Sequence, residues 1–207
     1  MGEEPEVRTQ GSASSIANPG PLGLSAFALT TFVLSAANAG LFAGSAIVLG
    51  LALFYGGLTQ FCAGMWEFKT GNVFGATAFS SYGGFWISLG FALLPLFGGK
   101  SVLDLANGTK GAIGEQALGV FLLGWTIFTG MMLVATLRVS VAHILLFLSL
   151  FLTFVLLTMH ALQGVAEMKT YAGWLGLVTA GLAWYIALSG VLSATRSPIK
   201  LPVLSLS

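Results

Sequence analysis

Long apolar runs separated by short polar clusters fill this chain from residue 22 to residue 194. A helix needs about 20 mostly apolar residues to cross a bilayer. The pattern predicts six such helices, at roughly 22–38, 44–66, 72–97, 115–137, 140–163 and 171–194. The breaks are Asn38-Ala39-Gly40, Glu67 to Asn72, Gly98 to Gly111, Arg138-Val139-Ser140, and Glu167 to Thr170. These runs are too long and continuous for the alternating strands of a barrel. The predicted fold class is therefore all-α: a polytopic membrane protein with a six-helix domain over residues 18–195. Residues 1–17 are expected to be a disordered cytoplasmic tail and residues 196–207 a second cytoplasmic tail.

Composition agrees with a membrane setting. Mean hydropathy is +0.92, and 7% of residues are charged, against about 25% in soluble domains. The polar residues are too few to cover a soluble globule. The net charge of +1, with no clustered Lys or Arg, excludes nucleic acid as a partner. Membrane lipid is the expected surrounding. Cys62 is the only cysteine, so no intrachain disulfide can form. Glu3, Glu4 and Glu6 stand where a secretory signal would carry basic residues.

Lys and Arg set an orientation. Arg8, Lys69, Arg138, Arg196 and Lys200 fall on the N-terminal side, against Lys100, Lys110 and Lys169 on the other. The positive-inside bias places both termini in the cytoplasm of a multi-pass plasma-membrane protein. Asn107-Gly108-Thr109 fits the glycosylation pattern and would then face outward, although an ordinary Asn-Gly turn is the better reading. Segments two, four and six mix small residues with aromatics, which is too faint to establish a repeat.

No Asp, Glu, Lys or Arg lies in the middle of any predicted span. A path through this protein must be lined by neutral donors and helix ends, which suits a small, weakly hydrated or largely neutralised solute. Asn18-Pro19-Gly20-Pro21-Leu22-Gly23-Leu24 marks the start of the first helix. Pro21 suits a first turn, Asn18 can cap it, and free N–H groups there form an anion site. An ordinary capped helix entry explains the same residues.

Polar and small residues recur at helical spacing: Phe27, Thr30, Thr31, Leu34 and Asn38; Gly57, Gln60 and Gly64; Ala78, Ser81, Tyr82 and Phe85. Tight helix packing accounts for most of them, as it does for Gly40-xxx-Gly44 and Gly71-xxx-Gly75. Asn38, Gln60 and Tyr82 demand more, because a buried amide or phenol needs a partner. Candidate substrate-binding residues are Asn18, Thr31, Asn38, Gln60, Thr77 and Ser81. Glu67, at the end of the second span, is a candidate gate or proton acceptor, with a solvated pair with Lys69 as the alternative. His143 and His160 lack Cys, Asp or Glu at metal spacing, so they read as structural histidines and no metal or cofactor is expected. No nucleophile-elbow, Walker or zinc-protease pattern occurs, so an enzyme is not expected.

Three motifs together resemble the acetate uptake transporter family, which includes bacterial succinate–acetate permeases. They are the Asn18–Leu24 entry, the block FYGGLTQFCAGMWEFKTGNVFGATAFSSYGGFW from Phe54 to Trp86, and Ala172-Gly173-Trp174 through Leu177. The likeness covers roughly residues 17–195. It implies a six-helix protomer with its own pore, assembled as a homohexamer, that takes up acetate and other short monocarboxylates, or succinate. Transport would be proton-linked symport or passage through an anion channel. It further implies a pore constriction of Phe27, Tyr82 and Leu150, a pore-lining Gln60, and a substrate-size position at Ala183. Gly20 departs from the family's usual Ala. Ala37 stands where bacterial relatives carry His, so proton transfer there is not expected. An uncoupled pore for small neutral solutes and a non-transporting sensor or assembly subunit are the alternatives.

Overall fold

The computed structural model describes residues 16–44, 46–97, 100–101, 103–104 and 113–206. The expected tail at 1–17 falls almost wholly outside these residues, as does Asn107-Gly108-Thr109. Six long helices follow one another: α1 (Gly20–Asn38), α2 (Ile47–Thr70), α3 (Val73–Leu93), α4 (Ile113–Thr136), α5 (Val141–Gln163) and α6 (Ala166–Ala194). A two-strand hairpin, β1 (Pro95–Phe97) with β2 (Lys100–Ser101), lies between α3 and α4. All but α3 are long and apolar enough to cross a membrane. α3 has the length, 21 residues, but Gly, Ser, Thr and Tyr dilute it.

The helix ends differ from expectation for local reasons. α2 runs past Trp66 to Thr70 because the chain turns only at Gly71, whose φ of +79° suits glycine. α3 stops before Pro95, which forces Leu94 extended. α6 starts at Ala166, so Glu167 and Lys169 lie inside a helix rather than in a break. The turn is made instead by Gly164, at φ +70°, and Glu167 gains a favourable place in the first helical turn. Gly40, Gly44 and Gly71 also have positive φ with open space around them. These three serve turns, which corrects the packing reading of Gly40-xxx-Gly44 and of Gly71, whereas Gly75 does pack closely, its Cβ position 2.9 Å from Glu67 Cδ.

One stretch of α2, Leu51–Thr59, is a π-helix. It carries Tyr55, Gly56 and Gly57, and such wide turns mark functional segments in many helices. Its glycines meet neighbours closely. A Cβ on Gly56 would fall 2.5 Å from Thr30 Oγ1 on α1.

The helices alternate in direction, so one end of the bundle, the near end, collects the start of α1 with Thr70, Thr136 and Ala194. Lys69, Arg138, Arg196 and Lys200 share it, and Lys100 and Lys169 lie at the far end. There Asp104 accepts from Ser101 N–H at 2.9 Å and from its hydroxyl at 2.7 Å. These bonds hold the Asp104 carboxyl below the usual range.

α1 packs against α2 and α6, α2 against α3, and α5 against both α4 and α6. α3 and α4 meet through large side chains: Tyr82 with Trp125 and Phe128, and Phe85 with Phe121 and Trp125. The core runs down the middle of this ring of helices.

The chain after α6 is not a free tail. Tyr185 Oη donates to Pro202 O at 2.7 Å and Ser189 Oγ donates to Leu201 O at 2.9 Å. Val141 N and Ala142 N donate to Leu204 O and Val203 O, and Leu206 N to Val139 O. Residues 201–206 thus form a strap across the near end and cap the first turn of α5.

Candidate functional site

A cavity of about 380 Å³ opens at the near end and runs inward between α1, α2, α3, α5 and α6. At ~30 Å³ per water it could hold roughly a dozen waters. Three helices line it with the same spacing. α3 supplies Gly75, Ala78, Phe79 and Tyr82; α5 supplies His143, Leu146, Phe147 and Leu150; α6 supplies Ile186, Ser189, Gly190 and Ser193. Each set follows i, i+3, i+4, i+7, the stripe one face of a helix presents. α1 begins at the cavity mouth, where Asn18 Oδ1 accepts from Gly20 N at 2.9 Å.

The inner end is closed by Phe27, Tyr82 and Leu150, which are 6%, 3% and 5% exposed. The Phe27 and Tyr82 rings are 5.9 Å apart. Behind them lies a second aromatic layer. Phe85 sits 5.1 Å from Trp125 and 5.3 Å from Phe154, centroid to centroid. An ionised carboxylate entering such a closure without a partner would meet a large desolvation cost.

Polar groups flank the closure. Gln60 is 1% exposed and lines the cavity, and its Oε1 has no hydrogen-bond partner. A buried carbonyl in that state costs about 1–3 kcal/mol. The Tyr82 hydroxyl is 2.9 Å from Thr129 Oγ1. Thr129 donates its own proton to Trp125 O at 2.7 Å. Tyr82 must therefore be the donor to Thr129, and its proton is committed in this closed state.

Glu67 is 2% exposed. Its Oε2 accepts from Asn72 Nδ2 at 2.9 Å and from Thr70 Oγ1 at 3.2 Å. Its Oε1 lies beside the start of α1, 3.3 Å from where a Cβ on Gly20 would stand. The solvated pair with Lys69 is thus overturned. Glu67 alone of the polar break is buried, and the exposed Asn72 also caps α3 through Gly75 N.

The structure brings Asn18, Phe27, Gln60, Glu67, Tyr82 and Leu150 to one cavity. It does not bring the others there. Thr77 and Ser81 are half-buried on α3, away from the cavity stripe. Asn38 ends α1 at the far end. Thr31 is buried one turn beyond Phe27 with its hydroxyl unpartnered. Ala183 is fully buried on α6, among the core residues.

Sequence reading missed His143, Phe147, Ser193 and the aromatic layer around Trp125. The signal for the first two was present, since 143, 147 and 150 share one helical face. His143 and Phe147 pack on Phe74, with ring centroids 6.1 and 5.4 Å away.

The comparisons with known proteins agree. Residues 3–207 match the model of the GPR1/FUN34/yaaH family. Acetate permease A of Emericella nidulans is 46% identical over 209 residues, 97% of this chain and 70% of its own length. The succinate-acetate/proton symporter SatP of Escherichia coli K12 is 39% identical over 191 residues, 92% of this chain and 96% of its own. The structure of the bacterial acetate channel SatP superposes with a TM-score of 0.81, covering 91% of this chain and 99% of that one.

Proposed function

We propose that this chain, which belongs to the GPR1/FUN34/yaaH family, is a membrane transporter or channel for acetate and related short carboxylates. The observation that carries the proposal is the cavity itself. It is largely apolar, has a few polar groups, and ends at the closely set Phe27, Tyr82 and Leu150. The likeness to the acetate permease of Emericella nidulans and to SatP supports acetate, with succinate as a second substrate.

In this reading acetate enters the vestibule past Asn18 and reaches the level of Gln60. The unpartnered Gln60 Oε1 offers an acceptor to a protonated carboxyl group where the apolar gate begins. Passage requires Phe27 and Tyr82 to separate. It also requires the carboxylate to be protonated or matched by a donor, because an unpaired charge in a dry constriction is too costly. Among the described residues Glu67 is the one acidic side chain lining the cavity, which makes it the candidate for proton linkage or for gating the mouth. Thr31 and Asn38 lie beyond Phe27 on α1 and belong to the far-side path, Thr77 and Ser81 lie at vestibule depth on α3 but off its cavity stripe, and Ala183 sets the space behind the α6 stripe.

The same reading places the protein in the plasma membrane as a homohexamer with both termini cytoplasmic, so the vestibule faces the cytoplasm. The cluster of Lys69, Arg138, Arg196 and Lys200 at the near end supports that orientation. No catalytic constellation lines the cavity, and no enzymatic step is proposed.

Radiolabelled acetate uptake into proteoliposomes is the test. Flux above that of empty liposomes, stimulated by an inward proton gradient, is expected for coupled transport. Acetate flux that ignores the gradient assigns an uncoupled channel. Absence of flux in both conditions overturns the proposal.

A further inference from the structure

His143 is not among the residues that the motifs assign to the path, yet it lines the vestibule three helical positions before Leu146 and seven before Leu150. Its ring is fixed at one nitrogen. Nδ1 lies 2.7 Å from Ser140 Oγ, and the same oxygen accepts from the His143 backbone N–H at 3.2 Å. Ser140 Oγ already accepts from that N–H, which favours its hydroxyl as the donor to Nδ1. The neutral ring then carries its own proton on Nε2. That N–H has no partner among the described residues.

The start of α5 cannot itself serve as an anion site. Its first N–H groups are already taken. Val141 and Ala142 donate to the strap, His143 to Ser140 Oγ, and Ile144 to Ser140 O. The imidazole N–H is the donor that this end of α5 leaves free. Beside it stand Phe74 and Phe147, an apolar surface matched to a short alkyl group.

We propose that His143 Nε2–H holds the carboxylate of a short monocarboxylate in the near-end vestibule, with its alkyl group against Phe74 and Phe147. The inference rests on the transport reading above and adds a retention site ahead of the gate. Gln60, buried and unpartnered, is the next polar group inward on the same cavity wall system. Glu67, the one acid among the described lining residues, is engaged by Asn72 and Thr70.

The direct test is acetate titration of histidine-¹⁵N-labelled protein in nanodiscs, with sodium chloride as the matched control. The chain has two histidines. His160 is held by Val165 O, 3.0 Å from its Nδ1, and is absent from the cavity lining. Acetate is expected to shift the His143 Nε2 signal saturably and to leave His160 unchanged. An equal response to chloride, or none to acetate, overturns the proposal.

In proteoliposomes loaded with acetate on the His143 side, His143→Phe is expected to raise KM about fivefold with little change in Vmax, the size of one lost hydrogen bond. His143→Gln, which keeps an N–H donor, should stay nearer the wild-type KM. A wild-type KM in His143→Phe overturns the site while leaving acetate transport intact. A saturable His143 shift in protein that carries no acetate flux supports the site and sinks the transport reading instead. The titration uses wild-type protein, so it decides the matter even where a variant misfolds.

Discussion

Tyr82 on α3 gives its hydroxyl proton to Thr129 on α4, across 2.9 Å of fully buried space. The same bond ties together two helices that otherwise meet only through bulky rings, and it withholds a donor from any carboxylate at the gate. Replacing Thr129 by Val keeps the shape, removes the acceptor and frees the phenol. Faster acetate uptake is expected in Thr129→Val, at a stability cost of about 1 kcal/mol for the lost hydrogen bond. Uptake unchanged or slower, in protein with near-normal thermal stability, would show that the Tyr82 proton does not limit passage.

Gln60 tests whether a costly polar group is kept for function. Its buried carbonyl has no partner, so Gln60→Leu removes an unsatisfied group without opening much space. Thermal stability is expected to hold or rise by about 1 kcal/mol, while acetate uptake falls at least tenfold. A variant that loses stability and flux in parallel would make Gln60 a packing residue.

The six helices were legible because hydrophobic length is a coarse signal that survives local detail. Their ends were not. Glu67 looked like an interfacial charge from its polar neighbours Lys69, Thr70 and Asn72, and only the fold reveals that it is buried with Thr70 and Asn72 bonded to its carboxylate. Glu167 and Lys169 looked like a loop, although the helix-ending residue was Gly164. The site was legible where an amide or phenol is hard to accommodate in lipid, as at Gln60 and Tyr82, whereas Phe27 and Leu150 came from the family motifs. It was not read at His143, although 143, 147 and 150 share one helical face, because one histidine near a helix start is equally accounted for as a hydrogen-bonded structural residue. Thr77 and Ser81 show the converse: polar type and motif membership do not place a side chain on the cavity stripe that Ala78 and Tyr82 occupy.

Gly83 tests the crossing of α2 and α3. A Cβ there would stand 2.7 Å from Phe61 N and 2.9 Å from Gly57 O. Both are backbone atoms, which cannot rotate away as a side chain would. Gly83→Ala is expected to cost about 1–3 kcal/mol, the range for overpacked cores. Gly84→Ala, with open space at its Cβ position, is the matched control and should be near neutral. Thermal unfolding of the two variants in the same detergent measures the difference, and equal stabilities would refute this account of the crossing.

The strap supplies the last prediction. Val203 lines the cavity mouth, and the segment is tied to α6 by Tyr185 and Ser189. The double variant Tyr185→Phe with Ser189→Ala removes both side-chain ties but leaves the backbone bonds to Val141 and Ala142. Each lost tie is worth about 0.5–1.5 kcal/mol, so the strap should lift more often while the helices stay packed. Hydrogen exchange is the measure. Faster exchange is expected at Val141 and Ala142, whose N–H groups the strap covers, with little change at Phe147 or Leu150 deeper in α5. Exchange at Val141 and Ala142 that matches wild type would mean that the backbone bonds alone hold the strap in place.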